Sequence, residues 1–438
     1  MAGLVPEVLR AERQFARLFV GQSLSVLGDR VTFVALPFAV VSIGGSAADV
    51  GLVVSAGLIP LLVFTLIGGV WADRLPRQWI MLASDVVRCV VQAVLAVLLL
   101  TGHAGVWTMA ALTAVFGLAE AFFLPASMGL LPLLVPVERL REANALRGFV
   151  QSAGLVLGPG LAAVLVASVG PGGALAVDAV SFAASALVLA RLGPVAGGGA
   201  AGAEERPGFL AELRVGWREV RSRTWVWSGM LAMAVYHMVV LPSVFVLGPV
   251  LADRQWGGAG AWALVTAAFG VGSIVGDVCA YRLRPARPMV VMAAALAVAS
   301  CQALIIGSGA PVAVIAALEA VTGVGVALCY VLWETSLQVH IPERVLSRVS
   351  SYDNLIAVAL MPVGIMLAGP LSDTLGLRPT LFGMTVLAVP LALALLALPA
   401  VRRLPAQAVP APEPIPGAVP APAAPAVPAT PAAPAVGV

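Results

Sequence analysis

An all-α membrane protein of twelve spanning helices, arranged as two six-helix pseudo-repeats, is the fold this sequence predicts. Three observations predict it. Hydrophobic residues make up 60% of the 438-residue chain and charged residues 11%, whereas soluble domains carry about 25% charged residues. Runs of about 20 mostly apolar residues, long enough to cross the ~30 Å hydrocarbon layer, recur along the chain. Stretches in the first half also align on stretches in the second. A soluble chain of this length would have to hide more apolar surface than one core can hold, so the bilayer is the simpler solvent.

The runs lie at 15–43, 48–70, 79–101, 106–135, 145–169 and 173–192, then at 225–250, 258–281, 288–308, 311–335, 351–372 and 379–400. They divide the chain into an N-terminal segment (1–14), a first six-helix bundle (15–192), a linker (193–224), a second bundle (225–400) and a Pro/Ala-rich tail (401–438). The low-complexity tail is expected to be disordered and partly extended. In the linker, Phe209, Leu210, Leu213, Trp217 and Val220 recur at helical spacing opposite Arg214, Arg218 and Arg221. That pattern predicts an amphipathic helix on the membrane surface. The first run is too long, and lacks the small-residue cleavage site, for a signal peptide.

Arginines orient the spans. The chain has no lysine, and placing the N-terminus in the cytoplasm puts nearly all 25 arginines there. The excess of basic residues on cytoplasmic loops fixes this topology and leaves both termini inside. Trp71, Trp79, Trp107, Trp225, Trp227, Trp256, Trp262 and Trp333 fall near span ends, as an interfacial aromatic belt would. The net charge of +3 therefore reports topology and not nucleic-acid binding. Cys89, Cys279, Cys301 and Cys329 lie inside apolar runs without CxxC spacing, and His103, His237 and His340 are scattered, so no metal site or cofactor is expected. Arginine in place of lysine, with abundant Ala, Gly and Pro, points to a GC-rich bacterial source and a bacterial inner membrane.

Internal repetition supports the division into halves. "VFGLAEAFFLPASMGLLPLLVP" (115–136) aligns without gaps on "VTGVGVALCYVLWETSLQVHIP" (321–342), with Gly117 on Gly323 and Ala121 on Ala327. At a nearly equal offset "GVWADRLP" falls over "GDVCAYRLRP", with Gly69 on Gly276. Parallel repeats of this kind build one large class of transporters.

The loop "GVWADRLPRQ" resembles the motif between spans 2 and 3 of major facilitator superfamily transporters, Gly-x-x-x-Asp-Arg-x-Gly-Arg-Arg/Lys. Gly69, Asp73, Arg74 and Arg77 match it; Pro76 and Gln78 depart from it. "GQSLSVLGDRVTFVALP", "AFFLPASMGLLPLLVPVERLREANAL", "DAVSFAASALVLARL" and "LSRVSSYDNL" are similar to the branch of macrolide-efflux and enterobactin-exporter proteins. Gly69 permits close helix approach, and Asp73 is able to cap a helix N-terminus. The family places span 11 there, which in this chain begins at "SSYDNL". Arg74 and Arg77 brace Asp73 or hold lipid phosphates. The resemblance implies a cytoplasmic gating latch; membrane anchoring is the plainer alternative. In span 5, "GLVLGPGLAA" resembles an antiporter signature at Gly154, Gly158 and Pro159, with Ala162 and Ala163 replacing its last glycines; a simple packing face is the alternative.

Charges within spans carry the chemistry, because an ionisable group in the membrane is costly and faces partners or water. In span 1, Gln22, Ser25, Asp29 and Thr32 form one polar stripe, and Asp29 lies about 21 Å along from Phe15, near mid-bilayer. Arg30 points about 100° away from it. Span 4 presents Thr113, Gly117, Glu120 and Ser127. Span 7 offers Tyr236 and His237, and span 10 offers Glu319 and Thr322. The resemblance implies that spans 1, 4, 7 and 10 line a substrate cavity, with Gln22, Ser25, Asp29, Arg30, Thr113, Glu120, Tyr236, His237 and Glu319 on it. Asp29 and Glu120 are the candidates for proton coupling, one paired with Arg30 and the other, Glu120, exchanging the proton. Asp85 and Arg88 are expected to neutralise each other, and of Asp178, Asp277, Glu334 and Asp353, which lie nearer span ends, most are expected to be solvated or capping.

These readings imply a secondary transporter that exports small, fairly hydrophobic organic compounds such as an antibiotic, siderophore or secondary metabolite, against proton influx by alternating access. Its partners would be the small-molecule substrate, protons and membrane lipids, and a monomer is expected. The alternatives are an importer or passive facilitator of the same fold, or a non-transporting membrane sensor or enzyme. No P-loop suggests ATP as a direct driver.

Overall fold

The computed structural model describes residues 6–193 and 209–406, so the linker segment 194–208 and the tail beyond 406 lie outside the described residues. So do the side chains of 66–74, 209–213 and several positions within 343–358. Among the described residues the chain is helical, with no strand.

Span 1 is Arg13–Ser42, span 2 Ala47–Arg74, span 3 Arg77–Leu100 and span 4 Val106–Leu134. Leu140–Ala190 runs as one 51-residue helix broken at Gly170 (φ 72°, ψ 172°). Unbroken it would extend about 76 Å, more than twice the hydrocarbon thickness, so Gly170 marks the turn between spans 5 and 6. Span 7 is Thr224–Trp256, span 8 Ala259–Arg282, span 9 Pro288–Gly307 and span 10 Val312–His340. Span 11 consists of Glu343–Ala359 and Met361–Leu375, interrupted at Leu360, and span 12 is Leu377–Ala397.

Alternating direction gives the bundle one face that carries Arg13, Arg77, Arg139, Arg191, Arg282 and Arg402, the arginine-rich face. On the opposite, far face the six inter-span turns contain every positive-φ glycine of the described residues: Gly44, Gly102, Gly170, Gly257, Gly258, Gly309 and Gly376. A left-handed residue reverses the chain in a short turn, and glycine adopts it without strain.

The two halves share a packing scheme. In the first, span 2 lies along span 4; in the second, span 8 lies along span 10. The aligned glycines occupy the same post. A Cβ on Gly117 would sit 1.9 Å from the Gly57 carbonyl oxygen, and one on Gly323 would sit 2.2 Å from that of Phe269. Bare backbone at these two positions lets helices approach closely where lipid supplies no hydrophobic drive for association.

Three expectations change in the structure. Trp225, Trp262 and Trp333 are buried inside the second half and not interfacial; Trp333 Nε1 donates to Asp353 Oδ2 (2.9 Å), so Asp353 is a partnered group and not a solvated cap. The linker helix, Phe209–Ser222, uses part of its apolar face against protein: Trp217 packs on Tyr352 (ring centroids 5.6 Å) and Val220 is buried. Span 11 begins at Glu343, not at "SSYDNL", so the backbone N–H groups around Ser350 lie within a helix and not at its N-terminus.

Replacing Gly117 by Ala forces two backbones apart and should destabilise the protein by about 1–3 kcal/mol. Gly383→Ala, where an added Cβ meets nothing within 4 Å, is the control. Thermal unfolding of the purified protein in detergent should show a lower transition for the first and none for the second; matching transitions would remove the close-approach argument.

Candidate functional site

Span 1 places its polar stripe on the wall of a cavity of about 450 Å³ within the first half. Gln22, Ser25, Asp29, Arg30 and Thr32 line it from span 1, and Thr113, Gly117, Glu120 and Ser127 from span 4. The helical spacing of both stripes thus reads correctly which residues share a face. Aromatic rings complete the wall: Phe19, Phe33, Phe116, Phe123 and, from the second half, Phe245. The walls extend toward the arginine-rich face as far as Phe19, Ser127 and Arg147.

Contacts between the halves run from mid-depth, where a Cβ on Gly270 of span 8 would lie 3.0 Å from Leu155 O of span 5, to the far side of this cavity. Phe33 meets Phe245 edge to face at 4.8 Å. Spans 2 and 11 meet backbone to backbone, where a Cβ on Gly51 would lie 2.6 Å from Ile365 O and one on Gly369 would lie 2.3 Å from Ala48 Cα. Ser55 Oγ donates to Pro362 O (3.4 Å).

Arg30 does not pair with either acid, contrary to expectation. Its Nη2 donates to Gln151 Oε1 of span 5 (3.0 Å). Its aliphatic stem lies along the span 5 backbone: a Cβ on Gly158 would be 2.4 Å from Arg30 Cβ, and one on Gly154 3.3 Å from Arg30 Cγ. The two motif glycines therefore seat Arg30, and the seat directs its head along span 5. Asp29 and Glu120 have no hydrogen-bond or ion-pair partner among the described residues.

Beneath them lies a charged layer that span-by-span reading underrated. Arg88 is buried, forms an ion pair with Asp85, and rests its guanidinium over Phe123 (4.1 Å) and Phe182 (4.4 Å). Its field also reaches Asp29, Glu120 and Asp178. Asp178 is neither solvated nor capping: it is fully buried and joins spans 1, 3 and 6. Its Oδ2 accepts from Thr32 Oγ1 and Gln92 Nε2, both at 2.6 Å, and its Oδ1 accepts from Ser181 Oγ at 3.0 Å. Gly28 makes room for it, since a Cβ there would be 2.1 Å from Asp178 Oδ1.

Tyr236, His237 and Glu319 are not brought to the cavity. All three are buried in the second half, where spans 7, 9 and 10 turn their polar groups on one another. Tyr236 donates to Gln302 Oε1 (3.2 Å), Gln302 Nε2 donates to Glu319 Oε2 (3.0 Å), and His237 Nε2 meets Tyr330 Oη at 2.5 Å. Helical spacing identifies a polar face but not what it abuts. Arg88, Gln92, Arg147, Gln151 and Phe245 line the cavity without having been singled out for it; the sequence signal for Arg88 was its depth within span 3. Of the gating loop, the side chains of Gly69, Asp73 and Arg74 lie outside the described residues. Arg77 Nη1 donates to Gly129 O of span 4 (2.5 Å) and ties spans 3 and 4 together.

A twelve-span bundle of two similarly packed halves around a mid-depth polar cavity has the architecture of a membrane transporter. The chain belongs to the Major Facilitator Superfamily, whose family model matches residues 18–363; it is a transporter and not an enzyme. It is 28% identical over 401 residues to the Multidrug efflux pump Tap of Mycolicibacterium fortuitum, covering 87% of this chain and 95% of the relative. With Macrolide efflux protein A of Streptococcus pyogenes it shares 23% over 376 residues, 83% of this chain and 91% of the relative. Among solved structures, the nucleoside transporter NupG superposes with a TM-score of 0.68 at 13% identity, covering 88% of this chain and 98% of that one. A bacterial homologue of the iron transporter ferroportin gives 0.64 at 20%, covering 87% and 98%.

If Arg88 serves several carboxylates, Arg88→Gln should destabilise more than Asp85→Asn, because the first leaves a cluster of acids uncompensated and the second leaves Arg88 with other anions. Breaking a buried pair from one side costs about 3–5 kcal/mol, and the arginine variant should lie at the upper end. Equal losses of thermal stability would mean that Arg88 serves Asp85 alone.

Proposed function

We propose that this protein exports small, fairly hydrophobic organic compounds by proton antiport, through alternating access across a bacterial inner membrane with both termini cytoplasmic. The observation that carries the proposal is the pair of carboxylates, Asp29 and Glu120, exposed to the cavity with no partner of their own. Asp178 and Arg88, by contrast, hold partners. Two carboxyl groups left without a partner in a largely apolar chamber suit a site where a proton or a substrate supplies the missing charge or hydrogen bond. Two groups of relatives named as efflux pumps support the outward direction. The arginine-rich face is then cytoplasmic, and the arrangement, joined on the far side, is open to the cytoplasm.

Glu120 carries the exchanging proton in this scheme. None of Gln22, Ser25 and Thr32 bonds to Asp29 in the structure, Thr32 being turned to Asp178, so the paired variants decide between the two acids. Burial of a carboxylate away from water favours the neutral form, which makes proton uptake accessible in the physiological range. Glu120→Gln should abolish proton-driven efflux while substrate counterflow in reconstituted vesicles continues. Asp29→Asn should impair both. Uphill transport by Glu120→Gln at the wild-type rate would overturn the assignment, and inward accumulation by the unmodified protein would favour an importer.

The gating role proposed for Gly69, Asp73, Arg74 and Arg77 rests on charge and position, not on capping. Asp73→Asn should remove most transport without loss of protein from the membrane. Arg77→Lys should be milder, because its charge survives although the planar fork does not. Normal flux through Asp73→Asn would reduce this loop to an anchor.

A further inference from the structure

The second half contains a carboxylate that the cavity does not use. Glu319 is 1% exposed, about two turns in from the far-face end of span 10. Its Oε2 accepts hydrogen bonds from Gln302 Nε2 (3.0 Å) and Thr322 Oγ1 (2.8 Å). Its Oε1 is fully buried and has no partner. No arginine or histidine of the described residues lies within ion-pair distance of it. The titratable group facing it from span 7 is Tyr236, which is occupied with Gln302. Span 9 presents the neutral Gln302, and on span 10 itself Thr322 is a neutral donor.

The first half treats its buried carboxylate differently. Asp178 is also held by a glutamine from the third helix of its half, Gln92, and by a hydroxyl from the first, Thr32, but Arg88 stands near it as a cation. Glu319 has the glutamine and one hydroxyl, that of Thr322, without the cation. An ionised carboxylate removed from water without a counter-charge costs several kcal/mol even after relaxation, more than two hydrogen bonds from neutral donors return. A neutral acid avoids that cost.

We propose that Glu319 is a proton-binding site of the second half, with the proton on Oε1, separate from the acids of the cavity. The ligand is a hydron and not a metal cation, because the amide oxygen of Gln302 that could share a cation is turned to the Tyr236 hydroxyl. The site also has a mechanical outlet. Glu319, Gln302 and Tyr236 form a continuous hydrogen-bonded chain that ends where span 7 loosens into a π-helical stretch, Tyr236–Val240. A second such stretch, Ser243–Leu247, carries Phe245, the second-half ring that meets Phe33 across the far-side joint. Release of the proton leaves a carboxylate that draws its donors closer, and the pull passes through Gln302 to the wider turns of span 7. The proton site rests on the transporter reading only for the use made of the proton.

The test is infrared difference spectroscopy on the full-length protein reconstituted in liposomes without substrate, titrated with acid in sodium-free and sodium-containing buffer. A buried protonated acid gives a carbonyl stretch distinct from that of a carboxylate. Wild type should show such a band insensitive to sodium, and Glu319→Gln should lose it while Glu120→Gln keeps it. Should Glu319→Gln fail to fold, Thr322→Val, which keeps the acid and removes one donor, should shift the same band. Absence of a band sensitive to either variant would overturn the proposal, as would a band removed by sodium, which would mark a cation site. Because no substrate is present, failure here leaves the cavity assignment of Glu120 standing, and failure of that assignment leaves this one standing.

Discussion

Four carboxylates occupy the interior of the first half, and the buried guanidinium of Arg88 is the charge around which they are arranged. Asp85 pairs with it directly, Asp178 lies within its field while holding three spans together, and Asp29 and Glu120 face the cavity above it. In a medium where an uncompensated charge is costly, such crowding requires a fixed cation. The phenylalanines around it supply that fixity. Their ring faces are electron-rich, so they accept the guanidinium while excluding water that would loosen the pair. The cavity surface therefore takes its electrostatics from one buried cation at its floor.

The halves share backbone architecture more closely than side-chain chemistry. Gly117 and Gly323 make the same close approach, and a glutamine from the third helix of each half grips a buried acid. Yet the first half directs its polar faces at the cavity, and the second folds Tyr236, His237 and Glu319 into itself. Duplication preserves what packing demands and leaves polar positions free to diverge, since a backbone contact tolerates no side chain while a hydrogen bond can be redrawn by one substitution.

That division explains which features were legible in the sequence. Spans follow from apolar length, and even the turn at Gly170 fell between the fifth and sixth runs. The stripes of spans 1 and 4 followed from the helical period, which is local. What was not legible depends on neighbours distant in the chain. Arg30 looked destined for an acid because Asp29 adjoins it, but Gly154 and Gly158, more than a hundred residues on, create the groove that draws it to Gln151. Trp333 looked interfacial by position, and only the packing of spans 7 and 11 around it shows it to be core. Asp178 looked close to a span end, but the Gly28 gap opposite it is visible only when spans 1 and 6 are set together.

The far-side joint between the halves brings Gly51 and Gly369 against the main chain of Ile365 and Ala48, with one aromatic pair beside it. Where backbone meets backbone, any carbon added at Gly51 or Gly369 would have to displace main chain, so the tightness of this seam is written in two missing methyl groups and tolerates no drift toward larger residues.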